Sequence, residues 1–313
     1  MSQSLIEVKD LKKHFKTRDG ILYAVDGISF TVQDGETLGL VGESGCGKST
    51  AGRAVLRLHE PTSGEVLYRG KNILNCTKAE MKKLRKELQI VFQDPYTSLN
   101  PRMTVRQLIE YPLKVNSTMP ASERLDRVRE IMEVIGLEAR LANAYPHELD
   151  GGRRQRIGIA RALIQDPTFI IMDEPVSALD VSIQAQILNL LLDLKERYGY
   201  AYLFISHNLS VVKHISDRIA VMYLGKIVET ADYRTLFEHP LHPYTKALLA
   251  SVPKAKIGER KARHVLAGDV PSPVDPPKGC RFCTRCAYAK EICCQKEPEL
   301  LQRGDSLVAC HLY

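Results

Sequence analysis

The chain has 313 residues, 44% of them hydrophobic and 26% charged, with a formal net charge of +7. That balance is ordinary for a globular protein of about two domains, and it excludes collagen-like or disordered chains. The longest apolar runs, FIIM and ILNLLLDL, fall far short of a bilayer span, and the N-terminal MSQSLIEVKDLKKHF has no apolar signal core, so an intracellular chain is expected.

In chain order, residues 5–40 read as short strands and turns: LIEVKDL alternates, Asp19-Gly20 turns, ILYAVDGISFTV follows and QDGE turns again. LGLVG (38–42) is a short apolar strand that runs straight into glycines, and AGRAVLRL after Thr50 is a helix packed on it. Residues 61–76 read as turn, strand, turn; KAEMKKLRKEL is a charged helix and QIVFQ a strand. Helical periodicity covers 103–140, broken by a Pro-bearing loop near 112–120. ASERLDRVREIMEVIGL within it is capped by Ser122 or a neighbour and stopped by Gly136. IGIARALI is helical, PTFIIMDE a buried strand, and VSIQAQILNLLLDLKERYG a long amphipathic helix ending at Gly199. AYLFISH is another buried strand, and RIAVMYLGKIVET forms two strands around Leu224-Gly225. Apolar strands alternating with helices point to a parallel α/β core. From about Glu238 the composition changes to Pro and His, then DVPSPVDPPKG, then Cys, which marks a small appendage. The basic runs KKLRK (82–86) and GERKAR (258–263) are short and read as solvated faces, so no nucleic-acid partner is expected.

Two motifs carry chemistry. GESGCGKST (42–50) fits the phosphate-loop pattern G-x-x-x-x-G-K-[ST]. Its glycines let backbone N–H groups turn toward phosphate oxygens, Lys48 reaches the β and γ phosphates, and Ser49 offers a hydroxyl to Mg²⁺. The following helix directs its positive end at the anion. FIIMDEP (169–175) is a buried strand whose end presents two acids: Asp173 to hold Mg²⁺ through water and Glu174 to accept a proton from the attacking water. A third cluster is sulfur. Six of the eight cysteines, Cys280, Cys283, Cys286, Cys293, Cys294 and Cys310, fall near the end, with only Cys46 and Cys76 elsewhere. Such clustering means disulfides, a metal or redox chemistry, and an intracellular setting weakens the first. A Pro-rich tail of this size has little core of its own and calls for a staple.

These motifs together resemble the ATP-binding subunits of ABC transporters. The likeness rests on Gly42–Thr50, Gln93 in FQDPYTSLNP, LDGGRRQRIGIARAL (149–163), Asp173–Glu174, SALD (177–180) and His207 in FISHN, in order and spacing across about residues 5–230. It implies an α/β phosphate-loop ATPase fold with a mixed central sheet, an antiparallel β part and a helical subdomain at about 98–163. The ATPase domain would cover 1–237 and a Cys-rich appendage 238–313. The implied ATP site comprises Gly42, Ser44, Gly45, Cys46, Gly47, Lys48, Ser49, Thr50, Gln93 and Asp173, with Phe15, or else Tyr23, stacked on adenine. Ser49, Gln93 and Asp173 would serve Mg²⁺, and Glu174, His207, Gln93 and Lys48 catalysis. Two such domains sandwich two ATP molecules. Asp180 would touch the opposite subunit, and Asp150, Gly151, Gly152 and Arg153 open the signature helix that closes on the partner's ATP.

Within that family, VGESGCGKST, QDPYTSLNPRMTV, ISHNLSVV and HPYTKALLASVP resemble the oligopeptide/dipeptide and nickel importers, and their F-type ATPase in particular. The implied system joins this subunit, a related D-type ATPase, two transmembrane permeases and an extracytoplasmic solute-binding protein at the cytoplasmic face of the cell membrane. A nickel or metal-chelate cargo is the alternative; a soluble ABC ATPase acting outside transport is the rival of another class, opposed by the single phosphate loop. Members of the group often end in four cysteines. The matching Cys280, Cys286, Cys293 and Cys310 imply a [4Fe–4S] cluster, with Zn²⁺ as the alternative and Cys283 and Cys294 as extras. Leu248, Leu249 and Val252 are expected to pack on the ATPase core. One departure stands out: Asp150 replaces the family's serine and Arg153 its glutamine. A carboxylate has no proton to donate to a phosphate, and unit like charges at ~4 Å repel by roughly 4 kcal/mol at an effective dielectric of ~20. Arg153 can offset this, and the expectation is a heterodimer with two unequal sites.

Overall fold

Alternation at the N-terminus builds a long hairpin. In the computed structural model, which describes residues 4–251 and 271–313, β1 (Ile6–Thr17) pairs antiparallel with β2 (Gly20–Val32) from Ile6↔Val32 to Thr17↔Gly20. The short strands expected here are thus two strands of 12 and 13 residues. The pairing is irregular between Val8 and Leu11, where Asp10 takes φ +44°, while Ile6, Val8 and Leu11 stay buried. After β3 (Thr37–Val41) and helix α1 (Lys48–Val55), β4 (Ser63–Tyr68) and β5 (Lys71–Asn72) complete a sheet of order β2-β1-β4-β5.

The described chain divides into two compact units. The first holds the residues up to Gln33, Thr37–Leu74 and Ile205 onward; the second holds Asp34–Glu36 and Asn75–Phe204. The second begins with α2 (Lys78–Glu87), started by a reciprocal cap between Thr77 and Glu80, and β6 (Leu88–Val91). The short α3 (Pro95–Ser98) and then α4 (Val105–Asn116) follow. Helix α4 continues past Pro112 to Asn116, so the expected loop near 112–120 shrinks to 117–120. Burial of Val105, Leu108, Ile109 and Leu113 on one face offsets the single hydrogen bond that proline forgoes. Helix α5 (Ala121–Val134) starts at Pro120 without a side-chain cap, so Ser122 lies inside the first turn rather than capping it; Gly136 at φ +66° ends it as expected. Then come α6 (Gly151–Leu163), β7 (Phe169–Asp173), α7 (Val181–Tyr198), ended by Gly199, and β8 (Ala201–Ser206). Strands β6 and β7 are parallel, β8 lies beside β7, and every residue of β7 is buried, as a parallel core strand requires.

The chain then returns to the first unit through α8 (Leu209–Ile215), capped by Asn208, and the hairpin β9 (Arg218–Tyr223)–β10 (Lys226–Asp232). Strand β9 pairs parallel with β3. Helices α9 (Tyr233–Glu238), α10 (Pro243–Ser251) and α11 (Glu291–Gln295) lead to β11 (Leu301–Arg303) and β12 (Ser306–Val308), and β12 adds to β10. The strand order in this unit is β11-β12-β10-β9-β3. Among the described residues no helix is long and apolar enough to cross a membrane.

The described C-terminal residues are anchored by an aromatic cluster and ion pairs. Tyr223, Tyr244 and Phe282 form a buried aromatic cluster with centroids 4.6–5.4 Å apart, and His242 lies 5.8 Å from Phe282. Asp26 gathers Arg281, Lys226 at 3.5 Å and His14 at 2.9 Å, and Lys226 also holds Glu297 at 2.7 Å. The expected [4Fe–4S] cluster or Zn²⁺ on Cys280, Cys286, Cys293 and Cys310 is therefore corrected. Among the described residues no group of three or more His, Cys, Asp or Glu side chains is arranged to hold a metal ion. The thiols form no disulfide, and burial pushes Cys280 up to about 12 and Cys283 up to about 11. The staple is the aromatic cluster and its ion pairs. Leu248 and Leu249 are half-buried on α10; Val252 and the basic run 258–263 lie outside the described residues.

Candidate functional site

In the first unit, β3 is buried along its whole length and delivers the chain into the 42–50 loop. Gly42 has no room for a side chain: a Cβ there would meet the Met222 carbonyl oxygen at 2.1 Å. Gly47, in a left-handed conformation at φ +105°, is the N-cap of α1, and its carbonyl accepts the Ala51 N–H at 2.8 Å. Lys48 is buried at the centre of the loop, donating to the carbonyls of Gly42 and Glu43, each at 2.9 Å, with Cys46 Sγ 3.8 Å away. The Cys46 carbonyl accepts the Gly225 N–H, and its thiol is pushed up by burial. Ser44 and Gly45 are exposed at the loop tip; Ser49 and Thr50 are half-buried. This is a concave loop closed around an ammonium at a helix N-terminus, a receptor for polyphosphate.

The same unit holds both candidates for stacking on adenine. Phe15, on β1, is half-buried, with Lys13 Nζ 4.7 Å from its ring centre and His59 edge-on at 5.8 Å. Tyr23 is engaged by His14 at 4.5 Å and by Arg281 at 5.7 Å. His207 is exposed just after β8. Sequence reasoning missed Glu43, Tyr244 and Arg285. The Glu43 N–H donates to the Tyr244 hydroxyl at 3.0 Å, and the Glu43 carboxylate takes the Arg285 guanidinium at 2.8 and 3.3 Å. No local signal marks these partners, which lie 201 and 242 residues from Glu43.

In the second unit, β7 ends at Asp173, which is fully buried, and Glu174 follows at φ +48°. A non-glycine residue in that region is uncommon and aims its side chain in a direction an ordinary strand end does not allow. Gln93 Nε2 donates to Glu174 Oε2 at 3.0 Å, so the structure brings these two predicted residues together across 81 positions. Asp150 is the N-cap of α6: its Oδ1 accepts the Arg153 N–H at 2.8 Å, and Arg153 Nη1 lies 3.3 Å from its Oδ2. Gly151 and Gly152 form the first turn, with a Cβ on Gly152 meeting Ile183 at 2.6 Å. Asp180 precedes α7 without a side-chain cap bond. Arg154, also unforeseen, is buried under the exposed Tyr96 ring at 3.8 Å and donates to the Pro146 carbonyl at 2.6 Å.

Residues 25–177 match the ABC transporter family, and residues 228–293 match the oligopeptide/dipeptide transporter C-terminal region. The chain is 52% identical to the oligopeptide transport ATP-binding protein AppF of Bacillus subtilis, over 99% of this chain and 98% of that protein. It is 48% identical to the dipeptide transport ATP-binding protein DppF of Haemophilus influenzae, over 98% of this chain and 96% of that protein. Among solved structures, the dimeric bacterial ABC transporter cassette MJ0796 superposes with a TM-score of 0.67 at 32% identity, covering 73% of this chain and 99% of that one. The phosphate loop around Lys48, the acids ending β7, and likeness along nearly the whole chain agree: it belongs to the ATP-hydrolysing, ATP-binding subunits of ABC transporters, in the group with the oligopeptide/dipeptide C-terminal region.

Proposed function

We propose that this chain powers the import of oligopeptides or dipeptides as one of two ATPases beneath a pair of permeases, at the cytoplasmic face of the membrane. The observation that carries this reading is the C-terminal region, which matches the oligopeptide/dipeptide group and is built into the first unit by β12 and the aromatic cluster. The relatives named for peptide transport span nearly all of the chain. In the proposed cycle, Lys48 and the loop N–H groups bind the phosphates, and Phe15 stacks on adenine. Ser49 and Asp173 are oxygen donors of the kind Mg²⁺ takes, and Asp173 is an acid buried at a strand end. Glu174, held by Gln93, accepts the proton of the attacking water, and His207 contacts the γ-phosphate. The test is reconstitution with the related D-type ATPase, both permeases and the solute-binding protein in lipid vesicles. ATP turnover should rise several-fold with di- or oligopeptide; stimulation by a nickel chelate and not by peptide would overturn the reading.

The same preparation tests the unequal sites. The Asp150 carboxylate accepts the Arg153 N–H and pairs with the Arg153 guanidinium, and being ionised it has no proton to donate to a partner-held phosphate. Replacing Asp150 with serine keeps the cap and restores a hydroxyl, so turnover of the heterodimer should rise about two- to fivefold, the worth of one hydrogen bond. No gain from D150S, with equal losses when the catalytic glutamate is changed in either subunit, would defeat the asymmetry.

A further inference from the structure

We infer that Tyr244 and Arg285, both in the C-terminal region, are positioning residues for the ATP phosphates, acting through Glu43 on Lys48. The inference rests on ATP binding at the 42–50 loop and goes beyond it by giving the C-terminal region a role in that site. The peptide joining Gly42 to Glu43 is a rigid trans plane, so its N–H and C=O point opposite ways. The Tyr244 hydroxyl holds the N–H at 3.0 Å on one side. On the other side the Gly42 carbonyl therefore faces inward, where it accepts from Lys48 Nζ at 2.9 Å. Tyr244 is fully buried in the aromatic cluster and cannot follow the loop if the peptide turns. A flipped peptide would remove one of the two carbonyls that hold the ammonium and alter the cradle into which phosphate enters.

Arg285 acts on charge. Glu43 places a carboxylate inside the loop that must receive a polyanion, and the Arg285 side chain, only 7% exposed, takes it with two hydrogen bonds. The 3.5 Å contact from Arg285 to the Tyr223 hydroxyl ties this pair to the same aromatic cluster. Without Arg285, the carboxylate is free to swing toward the phosphates and repel them.

The test measures ATP and ADP affinity by titration calorimetry, and thermal midpoints, for the full chain carrying Tyr244→Phe, Arg285→Ala, Arg285→Lys, Glu43→Gln and the double variant Glu43→Gln/Arg285→Ala. Tyr244→Phe should weaken ATP binding roughly fivefold to tenfold. Arg285→Ala should weaken it at least as much, Arg285→Lys should recover part, and Glu43→Gln in the Arg285→Ala background should recover most, because the repelling charge is gone. In the reconstituted transporter the loss should fall on KM for ATP, with kcat within twofold of the parent. ATP affinity unchanged in Tyr244→Phe and Arg285→Ala, with only the thermal midpoint lowered, would reduce both residues to structural supports and overturn the inference. Failure of Glu43→Gln to rescue Arg285→Ala would overturn its electrostatic half. Should Arg285→Ala not fold, Tyr244→Phe and the double variant still decide. Normal ATP binding with no peptide response would instead count against the transport reading and leave this one standing.

Discussion

Replacing Glu174 with glutamine should cut ATP turnover by about 10²–10³-fold while leaving ATP affinity within about twofold of the parent. The argument is one of isostery. Glu174 stands at φ +48° just past the fully buried β7, so its backbone is set by the strand and by the Ser177 N–H that its carbonyl accepts at 3.3 Å. Its carboxylate accepts from Gln93 Nε2 at 3.0 Å. A glutamine side chain keeps the volume and keeps an oxygen for Gln93, so the local geometry survives. What disappears is the group proposed to take a proton from the attacking water. ATP should then accumulate uncleaved, and the protein should become trapped in an ATP-dependent dimer, visible as an earlier peak by size exclusion in ATP and not in ADP. Phosphate release within fivefold of the parent would remove Glu174 from the role of general base. Loss of ATP binding together with turnover would show that the substitution disturbed the fold rather than the chemistry.

The residues of this prediction were legible in the sequence because their signals are local. A phosphate loop must be glycine-rich over a few residues and end in Lys-Ser, and a strand that delivers acids to a site must be apolar up to those acids. Both are visible in short stretches and both occur where expected. Helix ends at Gly136 and Gly199 were legible for the same reason. The failures share a different cause. Residues 5–40 read as short strands and turns, yet β1 and β2 run on for 12 and 13 residues, with register shifts absorbed inside the pair. Pro112 reads as a stop, yet burial of α4 carries the helix past it. Spacing of cysteines mimics a ligand set, but ligation depends on how thiols are arranged in space, and among the described residues no group of three or more is arranged to hold a metal ion. The grip of Tyr244 and Arg285 on Glu43 spans 201 and 242 positions, and a one-dimensional reading has no means of pairing them.

Gly47→Ala should abolish ATP binding at millimolar nucleotide and lower the thermal midpoint by roughly 4–10 °C, whereas Gly45→Ala, two residues earlier, should lower it by only about 2–4 °C. Both glycines have positive φ, +79° at Gly45 and +105° at Gly47, so both replacements carry the left-handed penalty of roughly 1–2 kcal/mol. They differ in surroundings. A Cβ at Gly45 meets nothing within 4 Å. A Cβ at Gly47 meets the Ala24 carbonyl oxygen at 1.9 Å and Met222 Cε at 3.0 Å. The methionine can yield, but the carbonyl is backbone of β2, a strand held along its length by pairing with β1. The loop must therefore move, adding overpacking of roughly 1–3 kcal/mol. Movement at Gly47 also displaces the first turn of α1, because the Gly47 carbonyl accepts the Ala51 N–H, and with it the helix terminus and Lys48 that receive the phosphates. Calorimetric titration and thermal unfolding of the two variants side by side separate the terms. A Gly45→Ala protein as damaged as Gly47→Ala would assign the cost to backbone conformation alone. A Gly47→Ala protein that binds ATP normally would show that β2 gives way and that the close approach of strand and loop does not shape the phosphate site.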